Sequence, residues 1–217
     1  MNRLTLGVLI SGRGSNLQAL IDACADPDFP ADIGLVISNR PQAKGLERAQ
    51  AAGIETLVID HKAYDSRAAF DAALNDALTG RGIDLICLAG FMRLLDSDFC
   101  NQWRNRVINI HPSLLPAFKG LHVHERVLEA GVRLTGCTVH VLRPEMDSGP
   151  VLVQAAVPVL ADDDAERLAA RVLEAEHRIY PLAVRLLAEG RVRIDGDRAV
   201  ISGATAAPPP LIFPAGD

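Results

Sequence analysis

Short apolar runs alternate with helical patterns along the first 90 residues. The apolar runs predict four β-strands, at 4–10, 33–37, 56–59 and 85–88. The segments between them have helical periodicity and predict three helices, at 16–25, 44–52 and 66–78. The fourth run is apolar throughout, which is typical of a strand that is buried on both faces. The alternation predicts an α/β, Rossmann-like fold with a mostly parallel central sheet and helices on both faces.

The pattern continues less regularly after residue 90. It predicts short helices near 97–103 and 124–130, and strands near 107–110, 138–142 and 151–157. A longer helix is predicted from about 165 to 187, because apolar residues repeat there every three or four positions along one face. Pro181 lies inside that helix, and we expect it to interrupt and kink the helix, since proline lacks the backbone N–H.

The chain is expected to form a single domain over residues 1–200. Its 217 residues suit one large domain, and no segment has the composition of a linker. Three consecutive prolines stand at 208–210, and helical or strand periodicity is lost around them. We therefore expect a Pro-rich, loosely ordered tail over 201–217.

Charge and composition narrow the range of partners. The formal net charge is -5, whereas general nucleic-acid binding needs a basic face, so we expect no nucleic-acid partner. No apolar stretch approaches the roughly 18–20 residues that cross a membrane, and we expect no membrane contact. The 4 cysteines include no C-x-x-C pair, which favours reduced, mostly buried thiols in a cytoplasmic protein.

A glycine-rich turn, SGRGSN at residues 11–16, follows the first strand. Glycines allow a sharp turn with exposed N–H groups, and the next helix adds the positive end of its dipole, so the turn suits a phosphate. The dinucleotide fingerprint has a third glycine, and an acid after the second strand. Leu17 and Ser38–Asn39 stand at these places, so a phosphomonoester fits better than a nicotinamide dinucleotide. A plain tight turn is the alternative.

Two polar residues share a face at the end of the strand predicted near 107–110. Side chains alternate along a strand, so Asn109 and His111 point the same way, at the sheet edge where α/β proteins bind ligands. With Asp147 they offer an oxyanion donor, a general acid or base and its orienter, as acyl transfer requires. No obvious nucleophile accompanies them, which favours direct transfer. Alternatively, they are satisfied polar groups at a strand end and in a turn.

Further candidates are less specific. Glu176 borders the apolar face of the long helix and is either an edge residue or a ligand contact. Arg67 stands near a helix N-terminus and is either solvated or within reach of a phosphate. His122 and His124 have an H-x-H spacing that occurs in metal sites, but no further ligands accompany them, and we expect no metal.

Seven motifs follow one another along the chain: ISGRGSNLQALID from Ile10, SN at 38–39 with GLERA at 45–49, AGFMRLL from Ala89, NIHPSLLP from Asn109, GLHVHE from Gly120, MDSGP from Met146 and EHRIYP from Glu176. In this order they resemble the phosphoribosylglycinamide formyltransferase family, the folate-dependent enzymes of purine synthesis. The resemblance extends from residue 4 to about residue 193. The sequence departs from the family at Arg13, where Asn is common, and at Val123, where Thr is common.

The resemblance implies roles for individual residues. It implies that the phosphate of the ribosylglycinamide substrate is held by Gly14, Ser15 and Asn16, with a contribution from Arg67. It places Glu176 at the same substrate. It implies that the folate pocket is lined by Met92, Arg93, Leu94, Leu95 and Asn109. It assigns catalysis to Asn109, His111 and Asp147, and it implies a mobile loop over the folate site at Lys119–His124.

The resemblance also implies a reaction. The formyl group of the co-substrate 10-formyltetrahydrofolate passes to the amine of 5'-phosphoribosylglycinamide, without a metal, in a monomer or homodimer that acts on small molecules. The alternatives are a catalytically silent phosphate-ligand binding module and a 10-formyltetrahydrofolate hydrolase. Methionyl-tRNA formyltransferases and formyltetrahydrofolate deformylases resemble the same region, but we expect neither the C-terminal nucleic-acid-binding domain of the former nor the N-terminal regulatory domain of the latter.

Overall fold

The computed structural model describes residues 3–203 and 211–214. Most of the predicted tail, at 204–210 and 215–217, lies outside the described residues. The chain divides into two compact units, of which one comprises Met1–Asn109 with Val141–Pro144 and the other Ile110–His140 with Glu145–Asp217. The single domain expected over residues 1–200 stays a prediction.

The first unit alternates strands and helices as the sequence predicts. Its strands are β1 (Leu4–Ile10), β2 (Ala31–Ser38), β3 (Thr56–Val58), β4 (Leu85–Leu88) and the first part of β5 (Val107–His111). Its helices are α1 (Ser15–Cys24), α2 (Gly45–Ala51), α3 (Arg67–Gly80) and α4 (Ser97–Gln102), with a 3-10 turn at His61–Ala63. Ser66 caps α3, because its hydroxyl accepts the N–H of Ala69 at 3.1 Å.

The second unit holds the end of β5 and the remaining elements. These remaining elements are α5 (Val123–Glu129), β6 (Leu134–Val141), β7 (Val151–Pro158), α6 (Ala165–Ala188), β8 (Val192–Asp195) and β9 (Arg198–Ile201). Val141, the last residue of β6, belongs to the first unit. Glu176 lies on the buried face of α6, between Val172 and Ile179. The helix runs through Pro181 without a break, so the expected interruption at this residue is wrong.

The central sheet has the strand order β3-β2-β1-β4-β5-β6-β7. The pairs β1/β2, β2/β3, β1/β4 and β4/β5 are parallel, whereas β6/β7 is antiparallel. All four residues of β4 are buried, which means that both faces of the sheet are covered there. The predicted mostly parallel α/β sheet is confirmed. Because the parallel strands end at one edge, the loops after β1, β2 and β4 lie side by side.

The apolar core of the first unit contains the two residues on either side of the segment 92–94. Phe70 of α3 stacks on Phe91 with ring centroids 6.4 Å apart. Phe91 and Leu95, both 8% exposed, belong to the same apolar cluster as Leu9 and Ile86. The intervening residues 92–94 are therefore exposed but held at both ends by buried side chains.

Two strand regions differ from the sequence expectation. β6 begins at Leu134, four residues earlier than predicted, because Gly136 interrupts the apolar pattern yet pairs closely with β7. A Cβ on Gly136 would lie 1.9 Å from the carbonyl oxygen of Ala155, so only glycine fits this ladder. The β8/β9 hairpin was not predicted, since its short strands are half exposed and carry little apolar signal.

Within residues 3–203 and 211–214, no helix has both the length and the apolar character needed to span a bilayer. The cysteines are free thiols, and Cys87, Cys100 and Cys137 are buried, as expected for mostly buried thiols.

Candidate active site

The glycine-rich turn joins β1 to α1 and packs against the start of α2. Gly14 has a left-handed φ of 71° at the N-cap of α1. A Cβ on Gly14 would lie 2.6 Å from the Cα of Gly45, and the N–H of Gly45 donates to the carbonyl oxygen of Gly12 at 3.0 Å. Ser15 and Asn16 open the ten-residue helix α1, where its dipole is positive. This arrangement suits an anion, and the phosphate site stays a prediction.

We expect Gly14→Ala to destabilise the protein by about 2–4 kcal/mol, through the positive φ and the contact with Gly45. The matched control is Gly12→Ala, since a Cβ there meets nothing within 4 Å. Its effect on the free energy of unfolding should stay within about 0.5 kcal/mol. Urea denaturation of both variants measures the difference. Equal stabilities would contradict the packing role of Gly14.

The segment 92–95 presents two exposed apolar side chains. Met92 and Leu94 are each 57% exposed, whereas Leu95 lies in the core. Arg93 is exposed between them. The N–H of Met92 donates to the hydroxyl of Ser11 at 2.8 Å. Met92 and Leu94 therefore present an exposed apolar surface, while the side chain of Leu95 packs in the core.

A buried carboxylate lies beside Arg67 and Arg93. Asp71 of α3 is 2% exposed, and its Oδ2 accepts the N–H of Asp96 at 2.7 Å. Burial raises the pKa of Asp71 to about 6, with a smaller contribution from the charge of Asp96, and both guanidinium groups oppose the shift. The resemblance assigns Arg67 and Arg93 to different ligands, but the charges of both act on the same carboxylate, Asp71.

The raised pKa of Asp71 predicts a pH-dependent stability. The folded protein keeps the proton up to about pH 6, whereas the unfolded carboxyl group releases it near its ordinary value of 3.8. The stability contributed by Asp71 is therefore greatest below pH 3.8 and is lost as pH rises to about 6. Relative to Asp71→Asn, wild type should lose about 1.4 kcal/mol per pH unit within this window. Urea denaturation at several pH values measures the difference, and a flat difference contradicts the shift.

Asn109 and His111 lie at the carboxyl end of β5, as predicted. Asn109 is half-buried and ends the first unit, while His111 is 6% exposed and belongs to the second. Their alternation with the buried Ile108 and Ile110 puts both polar side chains on one side of the strand. The amide and the imidazole are therefore neighbours along one face.

The second unit brings His111 and Asp147 together. Nδ1 of His111 lies 3.4 Å from Oδ2 of Asp147, and the two side chains are only 7% and 10% exposed. The other ring nitrogen, Nε2, lies 3.0 Å from the carbonyl oxygen of Phe118. Both nitrogens thus face oxygen acceptors, and an imidazolium ion is the form that donates to both. The carboxylate sits where it can orient the ring and balance its charge.

Asp147 is itself fixed in place. It has a left-handed φ of 50°, and its Oδ2 accepts the N–H of Gly120 at 2.9 Å. Its Oδ1 lies 3.8 Å from Nε2 of His140, whose side chain is 1% exposed. His140 was missed in the sequence analysis, although a histidine within the apolar run VHVL at 139–142 was an available signal. One buried carboxylate therefore lies between two imidazoles.

A third histidine lies near this pair. His124 of α5 is half-buried, and among the described residues its Nδ1 has no hydrogen-bond partner. Burial lowers the pKa of His124, and the charge of His111 lowers it further, while Glu125 opposes the shift. His124 is thus close enough to His111 for their charges to interact, and its neutral form is favoured.

The loop after β5 is tied to β6 and β7 by hydrogen bonds. The hydroxyl of Ser113 donates to the carbonyl oxygen of Ala117 at 2.6 Å, and Thr138 donates to the carbonyl oxygen of Ser113 at 2.7 Å. Gln154 donates from Nε2 to the carbonyl oxygen of Leu115 at 3.0 Å. These bonds fix the path of the chain leading to Phe118, and therefore the carbonyl that meets His111.

Glu176 is a buried acid of the second unit. Its side chain is 7% exposed. Burial raises the pKa of the nearby Cys137 thiol to about 12, and the charge of Glu176 adds to that shift. Glu176 therefore lies close to β6. In the parts of the chain that the structure describes, no group of three His, Cys, Asp or Glu side chains is placed to hold a metal ion.

Known proteins match this chain over most of its length. The profile of the family described as formyl transferase matches residues 5–184. Phosphoribosylglycinamide formyltransferase of Escherichia coli is 44% identical over 205 residues, which cover 94% of this chain and 97% of that protein. The crystal structure of glycinamide ribonucleotide transformylase 1 from Symbiobacterium toebii is 52% identical with a TM-score of 0.90, covering 92% of this chain and 94% of that one.

Another group of relatives is much longer. The trifunctional purine biosynthetic protein adenosine-3 of Gallus gallus is 51% identical over 193 residues. The match covers 89% of this chain but only 19% of that protein. This chain therefore corresponds to one part of the trifunctional relatives.

Proposed function

Since this chain belongs to the formyl transferase family, we propose that it transfers the formyl group of 10-formyltetrahydrofolate to the amine of 5'-phosphoribosylglycinamide. The observation that carries the proposal is the buried pair of His111 and Asp147, 3.4 Å apart. It supplies an acid–base group with an orienting carboxylate, as transfer through a tetrahedral intermediate requires. The relative that matches along nearly its whole length, named phosphoribosylglycinamide formyltransferase, supports the choice of substrates.

The proposed reaction is a direct displacement at the formyl carbon. The substrate amine forms a new C–N bond, and the carbonyl electron pair moves onto oxygen. The intermediate then re-forms the carbonyl, breaks the bond to N10 of the folate and releases tetrahydrofolate. One proton leaves the attacking nitrogen and one reaches N10. His111 is the proposed shuttle, and Asp147 orients its ring.

Asn109 and protonated His111 are the proposed donors to the oxyanion. An N–H donor aimed at developing charge contributes about 10²–10³-fold to a rate. In this structure Nε2 of His111 faces the carbonyl oxygen of Phe118 at 3.0 Å. We infer that the substrate oxygen takes the place of this carbonyl, so that Phe118 moves when substrate binds.

The proposed binding residues divide between the two substrates. Gly14, Ser15 and Asn16 hold the phosphate at the start of α1, and the buried Glu176 receives the glycinamide amine. Met92 and Leu94 cover the folate with apolar surface, and Leu95 and Asn109 contribute polar groups. Arg67 is the proposed further contact for the phosphate and Arg93 for the folate, and both guanidinium groups interact with the charge of Asp71.

A turnover assay tests the proposal. Purified protein is mixed with 10-formyltetrahydrofolate, with and without 5'-phosphoribosylglycinamide, and released tetrahydrofolate is measured. Release that depends on the amine substrate is the expected result. Release without the amine identifies a hydrolase, and binding of the phosphorylated substrate without turnover identifies a silent module.

We also propose a cytoplasmic location, which the free thiols support, and a monomeric or homodimeric state.

A further inference from the structure

The side chain of Ser11 lies where three loops of the first unit meet. It follows β1 directly and is 4% exposed. Its hydroxyl donates to Oδ1 of Asn39, after β2, at 2.6 Å. The same oxygen accepts the N–H of Met92, after β4, at 2.8 Å. One buried hydroxyl therefore joins the glycine-rich turn to the segment 92–95.

Further polar contacts hold Asn39 in place. Asn39 is fully buried, and its Nδ2 lies 3.1 Å from Nδ1 of His61. Its backbone N–H also lies 3.4 Å from the carbonyl oxygen of Ile10. The same Nδ1 lies 3.0 Å from the carbonyl oxygen of Asn39, so His61 contacts both the side chain and the main chain of this residue. Met92 donates to Ser11 and Ser11 donates to Asn39, and consecutive hydrogen bonds of this kind strengthen one another. The orientation of the Ser11 hydroxyl is thereby fixed.

The glycine-rich turn has other anchors, whereas Met92 is held to it through Ser11. The carbonyl oxygen of Gly12 accepts the N–H of Gly45, and that of Arg13 accepts Nε of Arg48 at 3.0 Å. Removing the Ser11 hydroxyl leaves these bonds in place. It deprives the N–H of Met92 of the acceptor it has in this structure. Loss of the Ser11 hydroxyl should therefore loosen the backbone of the segment 92–95 more than that of the glycine-rich turn.

We propose that Ser11 is a positioning residue that fixes the backbone at Met92 and thereby the surface that meets the folate. This assignment rests on the proposed function for the identity of the ligand. Ser11 does not touch the reacting atoms. Its hydroxyl sets the position of the main chain between the buried Phe91 and Leu95, and so presents Met92 and Leu94 in one arrangement. A surface that is already ordered binds its ligand more tightly, because less conformational entropy is lost on binding.

The chain offers a matched control in Ser38. This residue is also fully buried and lies at the end of β2. Its hydroxyl donates to the carbonyl oxygen of Arg40 at 2.7 Å and accepts the N–H of Arg40 at 3.1 Å. Ser38→Ala therefore removes a hydroxyl of equal burial with two hydrogen bonds, but both bonds stay within residues 38–40.

Amide hydrogen exchange tests the assignment without any substrate. In Ser11→Ala, exchange at the Met92 amide should accelerate by about tenfold or more, the factor that corresponds to about 1.4 kcal/mol. In Ser38→Ala it should remain as in wild type. Equal exchange at Met92 in Ser11→Ala and wild type overturns the assignment. If Ser11→Ala does not fold, Ser11→Cys keeps a weaker donor, and an unchanged Met92 amide in that variant overturns it as well.

Steady-state kinetics test the consequence for the ligand. Ser11→Ala should raise the KM for 10-formyltetrahydrofolate about tenfold, while the KM for the phosphorylated amine and kcat change less than about threefold. Ser38→Ala should leave both KM values near wild type. An equal rise of both KM values, or equal effects of the two variants, overturns the positioning role. A wild-type protein without turnover contradicts the proposed function instead, and the exchange result at Met92 still stands by itself.

Discussion

His111→Ala should lower kcat by about 10²–10⁴-fold, the range that one positioned acid–base group contributes. The variant loses the proposed proton shuttle and one proposed donor to the oxyanion. Substrate binding should change much less, because apart from Asn109 the residues proposed for the phosphate and the folate lie on other elements, at 14–16, at Arg67 and at 92–95. The expected signature is a large fall in kcat with KM values close to those of wild type.

Single-turnover and steady-state kinetics measure this effect, and thermal unfolding measures the stability of the variant. Alanine leaves the carbonyl oxygen of Phe118 and Oδ2 of Asp147 without the imidazole, so some loss of stability is expected. His111→Gln is the control, since it keeps an N–H donor but cannot take up a proton. It should recover part of the oxyanion stabilisation and none of the proton transfer. Near-normal kcat in a folded His111→Ala variant would assign the chemistry to another group.

The sequence pattern was sufficient for the sheet because buried parallel strands give a strong signal. The run at Leu85–Leu88 is apolar at every position, and β4 has these same bounds. Leu4–Ile10 likewise matches β1. Strands that are half exposed give a weaker signal, and the β8/β9 hairpin was therefore missed. Gly136 caused the start of β6 to be predicted too late. Glycine is typical of strand ends, but here the close pairing of β6 with β7 requires it inside the strand.

Local sequence pattern also predicts only part of the candidate active site. The alternation along β5 predicts that Asn109 and His111 share a face, since the two lie on one strand. The pairing of His111 with Asp147 spans 36 residues of sequence, and local pattern contains no signal for it beyond the choice of residue types. His140 was missed because a histidine inside a strand is more often a satisfied core residue. The bond between Ser11 and Met92, 81 residues apart, has no local signature at all.

The two glycines of the turn at residues 11–16 have different surroundings in the structure. The turn at residues 11–16 indicates a phosphate site, because glycines allow a sharp turn with exposed N–H groups. A Cβ on Gly14 would also meet the Cα of Gly45 at 2.6 Å, so this glycine is needed for packing between the turn and α2 as well. Gly12 faces open space and is the better position at which to probe ligand binding.

Asp147→Asn should lower kcat by about 10²-fold or more while leaving the fold nearly intact. Asparagine tolerates the left-handed φ of 50° at this position, so the backbone should not change. The amide oxygen can still accept the N–H of Gly120, which lies 2.9 Å from Oδ2. What is lost is the negative charge between His111 and His140, at 3.4 and 3.8 Å. Without that charge the His111 ring loses the carboxylate that orients it, and an imidazolium formed during the reaction has no counter-ion at Asp147.

Asp163→Asn is the matched control for the loss of a buried carboxylate. The side chain of Asp163 is 1% exposed and pairs with Arg171 through two hydrogen bonds, at 2.7 and 2.8 Å. This variant should lose stability, because the Arg171 guanidinium holds the pKa of Asp163 below its usual range, yet kcat should remain as in wild type. Asp147→Asn should show the reverse, a small change in urea denaturation and a large fall in kcat. If Asp147→Asn turns over at the wild-type rate, Asp147 is an ordinary turn residue and His111 acts without a counter-ion.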